Sequence, residues 1–214
     1  MGSVTRSQLF AIAVASTVLA VLGVLVFDLP LSRWVADHDQ SAAWAPIVKV
    51  CEYFVGVSPW IWTVPLVLCA GVVATLAVQR WRSHARAWMY VALVYLLSRN
   101  LMAWGKTLTG RYRPHQWIKI GGDTFGHIGD GASFPSGHVI VFAGLLLPLA
   151  VVVPRTRPLL LLIPFIMIAR IAVLAHFASD VFAGLALSAL LAWLCVPLLA
   201  PISAPAPRAV PARR

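Results

Sequence analysis

The apolar and polar positions along the chain resolve into six long stretches nearly free of charge. They run from about Gln8 to Phe27, Ser58 to Gln79, Ala87 to Trp104, His138 to Val153, Pro158 to Ala175 and Val181 to Ala200. Each approaches the roughly 20 apolar residues that cross the hydrocarbon core of a bilayer. The pattern predicts an all-α integral membrane bundle of six transmembrane helices, forming one domain over residues 1–200. Two stretches carry a charge inside them, Arg99 in the third and Arg170 in the fifth. A secretory signal is the rival reading of the first stretch. Its long apolar run and the absence of a nearby small-x-small cleavage site favour a retained anchor. Between the first two stretches, Leu29–Val57 mixes Trp34, Trp44 and Tyr53 with apolar residues. It reads equally as a segment lying in the interface or as a loop with aromatic anchors. The tail Pro201–Arg214, rich in Pro and Ala with three Arg, is expected to be disordered.

Composition narrows the classes. Of 214 residues 60% are hydrophobic and 11% charged, and the mean hydropathy is +0.85. A soluble domain carries roughly 25% charged residues, so a soluble enzyme is excluded. The three cysteines, Cys51, Cys69 and Cys195, are widely spaced and suggest neither a disulfide framework nor a zinc site.

The net charge of +10 would point to nucleic acid in a soluble protein. Here its distribution gives a different meaning. Arg6, Arg80, Arg82, Arg86, Arg155, Arg157, Arg208, Arg213 and Arg214 fall in alternate intervals together with the two termini, and no Asp or Glu joins them. Cytoplasmic loops accumulate Lys and Arg, which predicts an N-in/C-in topology and no nucleic-acid partner. All seven acids (Asp28, Asp37, Asp39, Glu52, Asp123, Asp130 and Asp180) fall on the opposite side, with the other eight basic residues.

Three groups of polar residues have no topological duty. Lys106, Arg111, Arg113 and Pro114 follow the third stretch; Pro135-Ser136-Gly137-His138 leads into the fourth; Arg170, His176, Ser179 and Asp180 stand between the fifth and sixth. The derived topology brings all three to the outer face, where they can share a pocket. Lys106, Arg113 and Arg170 supply cations, two of them planar forks suited to phosphate oxygens. Ser136 and the amides of a Pro-Ser-Gly turn at a helix start suit an anion, as does Gly137. Two histidines offer a nucleophile and a proton donor, and Asp180, four residues after His176, is placed to hold its imidazole. No carboxylate cluster stands ready for Mg²⁺, so the set fits phosphoryl transfer through a phosphohistidine without metal or other cofactor.

Taken singly, each piece has a plainer reading. Lys106 and Arg113 equally serve as interfacial anchors, and Pro-Ser-Gly-His as a turn and helix cap. Arg170 resists such a reading, because twelve uncharged residues precede it. A central Arg costs about 2.5–3.5 kcal/mol to insert and needs a polar cavity. Arg99 lies seven residues before Lys106 on roughly the same helical face; it lines that cavity or pairs with Asn100 and snorkels.

In this order the residues resemble the signature of the type 2 phosphatidic acid phosphatase family. Its first motif, Lys, six residues, then Arg-Pro, is met by Lys106 and Arg113-Pro114; its second stands intact at Pro135–His138. The third, Ser-Arg, five residues, His, three residues, Asp, is met by Arg170, His176 and Asp180, with Ala169 in place of Ser. The resemblance implies that His176 attacks phosphorus, oriented by Asp180. His138 then protonates the leaving oxygen and activates water. Lys106, Arg113, Ser136, Gly137 and Arg170 hold the phosphate. It implies a lipid phosphate substrate (polyprenyl diphosphate, phosphatidylglycerol phosphate, phosphatidic acid or lipid A phosphate); the derived topology puts the reaction at the outer face, and the compact chain with minimal loops suggests a bacterial inner membrane. Membrane lipids are the other expected partners. The loop His115–Phe134 is expected over the headgroup, with His115, Lys119 and His127 as contacts.

Two other classes compete. A transporter would spread polar residues through the membrane depth and often repeat a half; a lipid-binding protein would need no nucleophile beside an acid. A phosphotransferase passing the phosphoryl group to a second lipid differs only in its acceptor.

Overall fold

The computed structural model describes residues 4–38, 41–54 and 62–199. The tail Pro201–Arg214, Asp39 and the start of the second apolar stretch lie outside the described residues. Among those described the chain is helical and forms no β-strand beyond an isolated bridge between Arg111 and Phe125.

Thr5 starts α1 (Arg6–Leu22) with a reciprocal cap: its hydroxyl accepts from the Gln8 amide while the Gln8 side chain accepts from the Thr5 amide. The helix does not stop where the apolar run does. A π-helical turn (Gly23–Phe27) carries it directly into α2 (Asp28–Asp37), giving one element of 32 residues. Pro30, in the first turn of α2, has no N–H to return to the carbonyl four residues back, and the widened turn just ahead of it accommodates this. The segment after Phe27 is therefore helical, both here and in α3 (Ser41–Phe54).

Next come α4 (Thr63–Ala77), a 3₁₀ turn at Gln79–His84, α5 (Ala85–Thr109) and the short α6 (Pro114–Ile120). After a loop, α7 (Gly137–Val152) leads through a 3₁₀ segment (Pro154–Leu161) into α8 (Leu162–Ala172), and α9 (Ala178–Cys195) ends in a 3₁₀ turn at Val196–Leu199. The fifth apolar stretch is thus not one straight helix. Pro154 and Pro158 deny the backbone two donors, and regular α-helix begins only at Leu162.

Among the described residues, two helices are long and apolar enough to cross a membrane, Arg6–Asp37 and Ala178–Leu199; α4 and α7 are apolar but shorter. At 25 residues α5 has the length, but it carries Arg86, Arg99 and Lys106. Phe10, Val14, Val18, Leu25, Leu66 and Val73 of α1, α4 and the π turn lie exposed, a surface suited to lipid rather than water.

The central helix is α7, which is buried along most of its length and packs between α5 and α9. On the far side of α9 lies α1, held close because a Cβ on Gly23 would come within 2.9 Å of Ser179. Gly105 does the same for α5: a Cβ there would stand 2.7 Å from the Pro135 ring. These two contacts bring the ends of α5, α7 and α9 and the π turn to one place.

Candidate active site

At that place three chain segments converge. The αL conformation of Gly110 ends α5, which presents Lys106 in its last turn. Ser136 is the N-cap of α7, and its amide donates to the Asp180 carbonyl at 3.0 Å. The third segment is the turn between α8 and α9. There Leu174 takes a left-handed φ of 52°, costly for a side chain with a Cβ. The chain doubles back, so that the amides of Ala175 and His176 donate to the Arg170 carbonyl at 3.1 and 3.3 Å. The amide and ring Nδ1 of His115 both donate to the Leu174 carbonyl, so α6 braces this turn.

The three segments enclose a cavity of about 180 Å³ lined by Arg99, Met102, Lys106, Arg113, Gly137, His138, Val141, Arg170 and His176. It is smaller than the roughly 300–1,000 Å³ of pockets that enclose a whole small molecule, so it takes a headgroup and leaves the rest of a substrate outside. Four cations and two histidines face it. Gly137 and His138, the first residues of α7, are among the lining residues, and the buried Ser136 hydroxyl has no hydrogen-bond partner among the described residues. Fixed cations and a helix N-terminus in a poorly solvated hollow suit an anion.

Asp180 lies just beneath. It is the third residue of α9, and its Oδ2 reaches back to accept the Phe177 amide at 2.9 Å. His176 precedes the helix, so the spacing of four does not place the pair on one helical face. Its Nδ1 stands 3.6 Å from Asp180 Oδ2, beyond direct hydrogen-bond length. Ser133 fills the gap, donating to Asp180 Oδ2 at 2.5 Å and standing 3.5 Å from His176 Nδ1.

The electrostatics follow from burial and neighbours. Burial lowers the His176 pKa more than Asp180 raises it, so the resting imidazole is neutral. Asp180 also accepts from the Arg111 guanidinium and the Ser133 hydroxyl. Lys106 is lowered to about 8 by burial, then by the charge of Arg113. Its ammonium donates to the Ala132 carbonyl.

Other residues singled out in the sequence lie elsewhere. His115, Lys119 and His127 are exposed and do not line the cavity. The glycine-rich loop is instead tied to its own base, where Asp130 accepts from the His127 amide and the Tyr112 hydroxyl. Ala169, where the family pattern has Ser, is fully buried in the apolar core. The Asn100 side chain donates to the Leu96 carbonyl, and Arg99 lines the cavity. Among the described residues no three His, Cys, Asp or Glu side chains gather as metal ligands. Sequence reasoning passed over Ser133, counted Asp28 only among the acids of the outer side, and placed Arg111 and Ser179 in the outer polar groups without assigning them a role. All four are buried around Asp180.

Comparison with known proteins agrees with this geometry. The family model described as the PAP2 superfamily matches residues 87–202. A lipid A 1-phosphatase of Rhizobium johnstonii (strain DSM 114642 / LMG 32736 / 3841) is 32% identical over 187 residues, covering 79% of this chain and 72% of the relative. No solved structure matches.

Proposed function

Because the chain belongs to the PAP2 superfamily, we propose that it is a membrane-bound lipid phosphatase that hydrolyses the terminal phosphate of a lipid through a phosphohistidine on His176. The observation that carries this reading is the convergence of His138, His176 and four cations on one headgroup-sized cavity.

The chemistry follows from the atoms present. Nδ1 of His176 faces Ser133 and Asp180, which leaves Nε2 as the nucleophile. Its lone pair forms the N–P bond as the P–O bond to the lipid breaks, and His138 gives the departing oxygen a proton. His138 then takes a proton from water as the water oxygen attacks phosphorus and expels His176. Lys106, Arg113, Arg170 and the first amides of α7 stabilise the equatorial oxygens. No step calls for a metal ion.

The proposed setting is six spans, both termini in the cytoplasm and the site at the outer face of a bacterial inner membrane. The Lys/Arg distribution supports it. Polyprenyl diphosphate, phosphatidylglycerol phosphate and phosphatidic acid are candidate substrates. The relative's name puts a lipid A phosphate first in order of trial.

The test is phosphate release by purified protein from each of these lipids, with EDTA present. Release from at least one lipid is expected, with none from His176→Ala and with a ³²P-labelled, acid-labile and base-stable adduct on the wild type. Activity that depends on added metal, or that survives His176→Ala, would overturn the mechanism. Transfer of the label to a second lipid would identify a phosphotransferase.

A further inference from the structure

Beneath the cavity lies a buried layer that the proposed reaction has not yet used. Arg111 is 1% exposed, with its guanidinium 4.6 Å from the Phe125 ring centre and 4.4 Å from that of Phe177. Its Nη1 donates to Asp180 Oδ1 and to Ser179 Oγ, each at 2.6 Å, and its Nη2 donates to Asp28 Oδ2 at 2.6 Å. Asp28, 2% exposed, also accepts the Ser179 amide at 2.9 Å and the Ser179 hydroxyl. One guanidinium thus serves two carboxylates.

The charges of this cluster decide what His176 experiences. Asp180 paired with Arg111 alone would make a neutral ion pair, and little of its field would reach the imidazole. At low effective dielectric such cancellation is large. A second carboxylate on the far side of Arg111 restores a net charge of −1. That charge is needed, because His176 becomes positive when it takes the phosphoryl group and faces Lys106, Arg113 and Arg170 across the cavity.

We infer that Asp28 is a positioning residue for the reaction: by balancing Arg111, it leaves the charge of Asp180 free to stabilise the phosphorylated imidazole. The inference rests on the phosphohistidine reading. Asp28 opens α2 directly after the π turn and lies outside residues 87–202. The first helix then completes the active site as well as anchoring the chain.

A purely structural role makes a different prediction. Asp28 also caps the first turn of α9 through the Ser179 amide. If that were all it did, its loss would lower stability, and removing Arg111 as well would lower it further.

The experiment compares wild type, His176→Ala, Asp28→Asn and the double variant Asp28→Asn/Arg111→Met in detergent, against the lipid phosphate that the wild type turns over best. Asp28→Asn is expected to lose about tenfold or more in kcat, the scale of outer-shell positioning residues, with KM within about twofold. The double variant again leaves Asp180 as a lone −1, and is expected to recover most of that loss. Wild-type kcat in Asp28→Asn, a loss confined to KM, or a double variant no better than the single would each overturn the inference. Should Asp28→Asn alone fail to fold, the double variant decides: turnover within about tenfold of wild type supports the inference, and lower turnover overturns it. Failure of both to fold would make the cluster a strut and overturn it too. A wild type that releases no phosphate, or an active His176→Ala, would instead sink the phosphohistidine reading itself.

Discussion

The hydroxyl of Ser133 donates to Asp180 Oδ2 at 2.5 Å, inside the space that separates this carboxylate from His176. A hydroxyl has one proton to give. Spent on Asp180, it leaves the Ser133 oxygen to accept from His176 Nδ1–H at 3.5 Å. In the proposed reaction that assignment leaves the Nε2 lone pair for the attack on phosphorus. Ser133→Ala is therefore expected to lower kcat by about tenfold, the scale on which outer-shell partners act, with KM little changed. Steady-state kinetics on the preferred lipid phosphate check this, and unchanged kcat would remove Ser133 from the relay.

Arg170 lines the cavity, is 6% exposed, and its carbonyl anchors the turn that carries His176. Substituting Ala removes the guanidinium and leaves that backbone anchor in place. A preorganised donor to transition-state charge is worth about 10²–10³-fold. Arg170→Ala should lose that much in kcat while retaining the wild-type melting profile in detergent. Arg170→Lys should recover only part, since an ammonium cannot fork two phosphate oxygens.

The polar residues that line the cavity were legible in the sequence because their chemistry clashes with their surroundings. Arg170 has no topological duty inside an apolar run, and Pro135–His138 announces a turn at a helix start. The layer behind them was not legible. Asp28 stands where an apolar run ends and reads as a boundary residue, while its partner Arg111 lies 83 positions away. Ser133 is a small polar residue in a glycine-rich loop, and only the fold gives it a partner. The same limit applies to the helices. A run without charge locates an apolar stretch, but it does not reveal that a π turn prolongs the first helix through Asp37 or that prolines break the fifth. Those outcomes depend on backbone hydrogen bonds rather than hydropathy.

The pH profile of kcat/KM reports the free enzyme, and His176 and Lys106 each carry a separate expectation for it. His176 must be neutral to attack, and burial holds its pKa below that of an ordinary imidazole, despite the opposing effect of Asp180. Activity is thus expected to persist as pH falls through about 6.5, where ordinary histidines protonate. On the alkaline side Lys106, at about 8, loses its charge as pH rises, and kcat/KM should decline above that value. Lys106→Arg should move this limb upward, because a guanidinium remains charged. A limb that does not respond to Lys106→Arg would belong to another group.

The close approach of α1 to α9 rests on Gly23. A Cβ there would lie 2.9 Å from both the backbone nitrogen and the Cβ of Ser179. Neither atom is the end of a flexible side chain, so relief requires the helices to separate. Overpacking of this kind costs about 1–3 kcal/mol, and Gly23→Ala should lower the melting temperature in detergent. The consequence reaches the site, because Ser179 joins Asp28 to Arg111. Moving α1 away lengthens the contacts that balance Arg111, so the kcat of Gly23→Ala should fall together with its stability. At Gly122 a Cβ meets nothing within 4 Å, and although its φ of 76° strains any side chain, it reaches this network only indirectly, through Trp117, which donates to its carbonyl and packs on Phe177. Gly122→Ala should therefore cost stability but leave kcat near the wild-type value. Parallel thermal melts and turnover measurements on the two variants would separate packing at the site from backbone strain in the loop. Equal kcat in both would dissociate the α1–α9 contact from catalysis.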